Sequence, residues 1–216
     1  MTKSKNTTSI IRIKPLRAVY YEVTIMGITP LYLGPMTEYA VDQVQGTREG
    51  AIGPKQKPLT MEQQLAVGKY IGYDDQGNEF DGYPTKNIKS CIRDAAIGKE
   101  WWDKKIDKKR FNAAFEILGD ILHMDGECVP SKDWVMMGAG RSSKPFPAWT
   151  YRWKYKKDWK TTFIIRILPT LITEDSIFTI MNTAGEYIGT GAWRADKHGR
   201  FKIINTKKIS KPEFDL

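Results

Sequence analysis

Between Thr161 and Leu168 the chain places Phe163, Ile164, Ile165 and Ile167 almost without interruption. A β-branched and aromatic run of this kind is that of a central strand, flanked on both sides by other strands. A second strand reads from Ala18 to Thr29, where Val19, Tyr21, Val23 and Ile25 alternate with Tyr20, Glu22, Thr24 and Met26, and Pro30 ends the run. Pro84-Thr85 opens a helix with Ile88, Cys91, Ile92, Ala95 and Ala96 at helical spacing and Gly98 just past its end. A further helical run spans Lys108 to Leu118, and Trp134 to Met137 reads as a short strand. Thr173 caps a helix running to about Ala184 that buries Ile177, Ile180 and Met181. After a glycine-bearing loop from Gly189 to Gly199, Phe201 to Ile204 forms a last strand.

Without its insertions the chain therefore reads strand (18–29), helix (85–98), strand (134–137), strand (161–168), helix (173–184), strand (201–204). This is an α+β chain in the ferredoxin-like β-α-β-β-α-β order. The boundaries are a basic N-terminal arm (1–17), a domain (18–204) with insertions at about 34–80 and 99–133, and a C-terminal tail (205–216). The first insertion carries a capping box, Thr60-Met61-Glu62-Gln63, and a hairpin from Lys69 to Phe80 turning at Asp74–Asn78. With the first and third strands central and parallel, the 1–17 arm, the 144–160 segment and the 205–211 tail are expected at one end of the sheet. The 189–200 loop is then expected at the other.

The chain has 216 residues, 41% hydrophobic and 27% charged, which is ordinary globular composition. No apolar run approaches the roughly 18 residues needed to span a bilayer, and the polar start leads into no signal-like apolar region. Two cysteines, Cys91 and Cys128, are too few for a disulfide framework and suit a reducing cytoplasm. The net charge is +9, but it is unevenly placed: segments 1–17, 144–160 and 194–211 carry +5, +5 and +6, so the remainder is net acidic by 7. A basic surface on an acidic body is the footprint of a nucleic-acid binder.

The most informative segment runs from Lys144 to Lys160. Trp149, Tyr151, Trp153 and Tyr155 occupy odd positions, while Arg152, Lys154 and Lys156 occupy even ones, with Lys157 following. In an extended strand one face is aromatic and the other cationic, the pairing by which single strands are held: bases on rings, phosphates on cations. Three readings stand open: rings that stack on bases, rings that pack on the domain while the cations track phosphates, and a hairpin with no nucleic-acid role. Arg141 and Lys144 sit in the preceding Gly138–Lys144 loop, whose glycines would let a phosphate approach. Neither a phosphate-binding nor a dinucleotide-binding glycine motif is present. With only His123 and His198 in the chain, acid–base catalysis has little material, and the spacing of His123, Asp125, Glu127 and Cys128 matches no zinc or calcium motif. No cofactor is implied. His198, beside Lys197 and Arg200, is the one candidate for an RNA-cleaving group.

Gly27-Ile28-Thr29-Pro30-Leu31, Gly82-Tyr83-Pro84-Thr85-Lys86-Asn87 with Cys91-Ile92-Arg93, and Gly191-Ala192-Trp193-Arg194 with Gly199-Arg200-Phe201-Lys202 carry a resemblance. They look like an uncharacterised group of bacteriophage proteins that in turn resembles the RAMP superfamily of CRISPR-associated proteins. The resemblance implies a ferredoxin-like domain with a glycine-rich loop between the last helix and the last strand, the place held here by Gly189, Gly191 and Gly199. It also implies polynucleotide binding, often by a row of like subunits, but not cleavage. About 34–80 and 99–160 are not covered by it, and the loop lacks the dense glycine run of many RAMP proteins. The expected partner is single-stranded RNA or DNA, bound by a homo-oligomer or a subunit of a nucleoprotein assembly, with Arg194, Lys197 and Arg200 of the loop joining the hairpin cations. The alternatives are a metal-independent RAMP-like endoribonuclease and a phage protein-interaction or anti-CRISPR-like factor.

Overall fold

The structure, a computed structural model, describes residues 17–34, 60–66, 68–97, 107–137 and 146–213. In chain order the first elements are β1 (Val19–Gly27), β2 (Leu31–Tyr32), α1 (Met61–Ala66), β3 (Tyr70–Tyr73), β4 (Glu79–Pro84) and α2 (Thr85–Ala96). They are followed by α3 (Lys108–Ala114), β5 (Phe115–Ile117), β6 (Ile121–His123), β7 (Cys128–Met137) and β8 (Phe146–Tyr155). The last are β9 (Lys160–Ile167), α4 (Glu174–Thr183), a π-helical turn (Ala184–Ile188), a 3-10 turn (Arg194–Asp196) and β10 (Phe201–Ile209). No helix among the described residues is long and apolar enough to cross a membrane.

The alternation in β1 is used as read. Val23 and Ile25 are fully buried, against Phe163, Ile165 and Ile167 of β9 and the apolar faces of α2 and α4. In α2 that face is Ile88, Cys91, Ile92, Ala95 and Ala96. In α4 it is Ile177, Ile180 and Met181, and Thr173 caps the helix by accepting from the Ser176 N–H. The opposite face of β1 and β9 is only partly covered: Ile164 is half-buried, and Thr24 and Thr162 share a hydrogen bond at 2.9 Å in the open. An antiparallel sheet tolerates this. The capping box also forms, with the Gln63 N–H donating to Thr60 Oγ1 and the Thr60 N–H to Gln63 Oε1. Strands β3 and β4 form the expected hairpin.

The four-stranded sheet has the order β10-β1-β9-β5. Four expectations change here. The strand that joins β9 is Phe115–Ile117, not Trp134–Met137, which belongs to β7 in a separate β2-β8-β7 sheet. The helical run from Lys108 accordingly stops at Ala114 rather than Leu118. Phe115 and Ile117 then point into the core, while Glu116 lies across from Arg166 and pairs with it. Two-residue periodicity against a free strand edge outweighs helical propensity here. Residues 205–209, expected as tail, extend β10 along β1 as far as Tyr20↔Ile209.

The fourth change concerns direction. Strands β1 and β9 are antiparallel, not parallel, pairing from Val19↔Ile167 to Met26↔Lys160. The start of β9 thus lies beside the end of β1, where the Gly27 N–H donates to Trp159 O at 2.7 Å and the Asp158 N–H donates to Gly27 O at 3.0 Å. The root of the β7–β8 hairpin and the 189–200 loop therefore share one end of the sheet, and the end of β10 lies at the other.

Trp159 is the largest fully buried side chain at this junction; its Nε1–H donates to Thr29 O at 3.0 Å, and a Cβ on Gly27 would fall 2.0 Å from Nε1. Trp159→Ala is expected to cost about 3–5 kcal/mol of stability, and Gly27→Ala is expected to destabilise as well. Urea denaturation measures both, and an unchanged midpoint for either variant contradicts this account.

Candidate nucleic-acid interface

The aromatic face of β8 is graded along its length. Tyr155 is buried in the core. Trp153 is half-buried under α1, its Nε1–H donating to Leu65 O at 2.8 Å, with the Lys69 ammonium 4.5 Å from its ring centre. Tyr151 is also half-buried, and its backbone N–H donates to Gln64 Oε1. Trp149 is half exposed and meets the exposed Trp134 edge-on at 4.8 Å, directly across the hairpin. Lys132 lies 4.5 Å over Trp149 and 5.8 Å from Tyr151. Trp134 and Lys132 escape a reading of β8 alone, because they enter through the cross-strand register of β7.

The cationic side of β8 turns toward the glycine loop. Lys154 Nζ is 5.2 Å from the Tyr32 ring centre and donates to its hydroxyl at 3.5 Å. The Arg152 guanidinium lies 4.8 Å over the Trp193 ring. Burial draws the Arg152 pKa below its usual value, with the nearby Asp133 charge opposing. Lys156 pairs with Glu127 at 2.6 Å on the surface, a contact of small net worth. Lys157 is exposed in the turn before Trp159. Arg141 and Lys144 lie outside the described residues.

The loop is held by backbone contacts that only unusual conformations permit. At Gly199 (φ 68°) a Cβ would sit 1.8 Å from Thr190 O, and at Gly191 (φ 82°) it would sit 2.6 Å from Tyr32 O. Ala192 N–H donates to Tyr32 O and Gly199 N–H to Pro30 O, tying the loop to the segment after β1. Beneath it Tyr83 and Thr190 share a buried hydrogen bond of 2.8 Å, and burial raises the tyrosine pKa. Trp193 and Lys197 are left-handed without being glycine, at φ 54° and 65°. Such a state costs on the order of 1–3 kcal/mol and persists only where the surroundings enforce it. Tyr32 is central to those surroundings: its ring lies 4.6 Å from both Trp193 and His198.

Arg194 reaches Asp94 of α2 at 3.4 Å. It borders a cavity of about 160 Å³ lined also by Gly34, Asn87, Ser90, Gly191 and Ala192. The Arg200 N–H donates to Thr29 Oγ1, while its Nη1 is buried with no hydrogen-bond partner among the described residues. Lys197 is exposed. The structure thus brings Arg152, Lys154, Arg194, Lys197 and Arg200 to one end of the sheet, with Trp149 and Tyr151 farther out along the hairpin. Among the described residues no group of three or more His, Cys, Asp or Glu side chains could hold a metal ion.

The grading separates two kinds of ring. Trp153→Ala should lower the melting temperature markedly, since it empties the space under α1. Trp149→Ala should leave it within a few degrees and, if this face holds a single strand, weaken that binding by about 1–3 kcal/mol. Melting and affinity measured on both variants check this, and the reverse pattern would overturn it.

No protein-family model matches the chain, and no curated protein matches it. Among solved structures, a chain of the Type III-B Cmr-beta complex bound to cognate target RNA matches with a TM-score of 0.50 at 14% identity, covering 90% of this chain. This chain spans only 62% of that chain's length. Cmr6 from Pyrococcus furiosus matches with a TM-score of 0.45 at 10% identity, over 88% of this chain and 100% of that one. At these identities the Cmr-beta likeness is one of fold alone.

Proposed function

We propose that this chain binds single-stranded RNA without cleaving it, as a subunit of a nucleoprotein assembly that lines up along the strand. The reading takes the β10-β1-β9-β5 sheet with α2 and α4 as a ferredoxin-like core. The observation that carries it is the convergence, at one end of that sheet, of the cationic side of β8 with the glycine loop. Three cations of the hairpin lie against rings rather than carboxylates: Arg152 on Trp193, Lys154 on Tyr32 and Lys132 on Trp149. A ring does not neutralise the charge it holds, so these cations can still attract phosphate, with Asp133 offsetting part of the Arg152 charge. The Cmr-beta structure of like fold is RNA-bound, which accords with this reading. A bacteriophage source rests on the short motifs around Gly27, Gly82 and Gly191 alone.

His198 favours binding over cleavage. Its ring packs against Tyr32 at 4.6 Å, and the side chain is half-buried. Labelled RNA incubated in EDTA should stay intact with both the wild type and His198→Ala. Cleavage abolished by His198→Ala would establish the endoribonuclease reading instead.

Binding should also be strongly salt-dependent. Each phosphate contact on a single strand contributes about 0.7 to the logarithmic salt slope, so four contacts predict roughly a 50-fold loss of affinity for a fourfold rise in salt. Fluorescence anisotropy with RNA and DNA oligomers of matched sequence measures the slope and the sugar preference. Tighter binding of the DNA would reassign the ligand to single-stranded DNA. A flat response, or no binding at low salt, would favour a protein-interaction factor.

A further inference from the structure

Arg152 is a partly buried cation at the meeting of the hairpin and the glycine loop. It occupies an even position of β8 and turns away from the packed rings toward the glycine loop. Its Nε is buried and has no hydrogen-bond partner among the described residues. A buried donor is costly to leave unmatched, and more so when it belongs to a cation. Asp133 is close enough to influence its charge, but that carboxylate already accepts from Ser131 Oγ at 2.6 Å and Tyr32 OH at 3.4 Å. The flat face of the guanidinium is supported by Trp193, which is itself held in a left-handed conformation and backed by Tyr32. A guanidinium fixed in plane presents two parallel N–H bonds to one oxyanion.

The space around it is also shaped. A Cβ at Gly34 would sit 2.8 Å from Arg152 Nη1 and 3.1 Å from the Ala192 side chain, so this residue is narrow where the hairpin and loop approach each other. Gly34 borders two cavities. One, of about 100 Å³, is lined by Arg152, Thr150 and Gln64 among others. The other, of about 160 Å³, is the one bordered by Arg194, Asn87 and Ser90. A guanidinium therefore stands on either side of one glycine.

Resting on the reading that the chain binds RNA, we propose that Arg152, stacked on Trp193, is the phosphate anchor of the groove, and that the strand crosses at Gly34 toward Arg194. Trp193 acts as a positioning residue: it sets the plane in which Arg152 meets the phosphate oxygens.

The test measures affinity for a fluorescent oligouridylate across a salt series, with thermal melting to fix the folded fraction, for the wild type, Arg152→Ala and Arg152→Lys. Arg152→Ala should lose about 10- to 100-fold in affinity and flatten the logarithmic salt slope by about 0.7, the loss of one phosphate contact. Arg152→Lys keeps the charge, so it should retain the wild-type slope yet bind at least severalfold more weakly, because an ammonium has neither the stack nor the paired N–H bonds. Wild-type affinity in Arg152→Lys, or an unchanged slope in Arg152→Ala, would overturn the proposal while leaving RNA binding in place. A wild-type protein without salt-dependent binding would overturn both. Should Arg152→Ala not fold, the lysine variant decides.

Discussion

The antiparallel pairing of β1 with β9 is the constraint on which the candidate interface depends. It puts Trp159 against Gly27 and makes the chain leave β8 and enter β9 where β1 ends. Leu31 and Tyr32 then pair with Tyr155 and Lys154, and Tyr32 also bridges to Ala192 of the glycine loop. Two segments distant in sequence are thereby fastened to the same short stretch after Pro30. Were β1 and β9 parallel, the hairpin would emerge at the far end, and its cations would have no access to the loop.

Charge is distributed with the same logic. Lys156, Arg166 and Lys208 each meet a carboxylate, from Glu127, Glu116 and Glu174. These contacts use acidic residues of the body to balance cations away from the loop. Lys208 also lies 5.4 Å from the Tyr21 ring, and hydrogen bonding from the tyrosine and the lysine holds the Glu174 carboxyl below its usual range. At the interface, by contrast, rings hold Arg152, Lys154 and Lys132, while among the described residues Arg194 alone of the loop cations reaches a carboxylate, Asp94.

Where local periodicity decides structure, the sequence was readable. The apolar stripe of α2, the Thr173 cap and the reciprocal Thr60–Gln63 contacts each join residues only a few positions apart. The Phe115–Ile117 strand was not readable, because an alternation of only three residues does not stand out after a helix; the open edge of β9 decides their state. Residues 205–209 are mostly polar and exposed, so only their pairing with β1 reveals a strand. At the site, residue types were visible but burial was not. Trp149, Trp153 and Tyr155 share one alternation, yet α1 and the core cover them to different extents. Tyr32 belongs to a two-residue strand and gave no periodic signal, although Trp193, His198 and Lys154 all gather around it.

The sheet order also has a consequence for synthesis. Strand β1 is made early, but its two neighbours begin only at Lys160 and Phe201. At about 5–20 residues per second, β1 spends on the order of ten seconds outside the ribosome with both edges unpaired. An unpaired apolar strand is a template for association with other chains. Alternation with Glu22 and Thr24 on the second face keeps the waiting segment from being apolar all round. The four-stranded sheet can close only after β10 emerges, so β1 must wait for partners far along the chain.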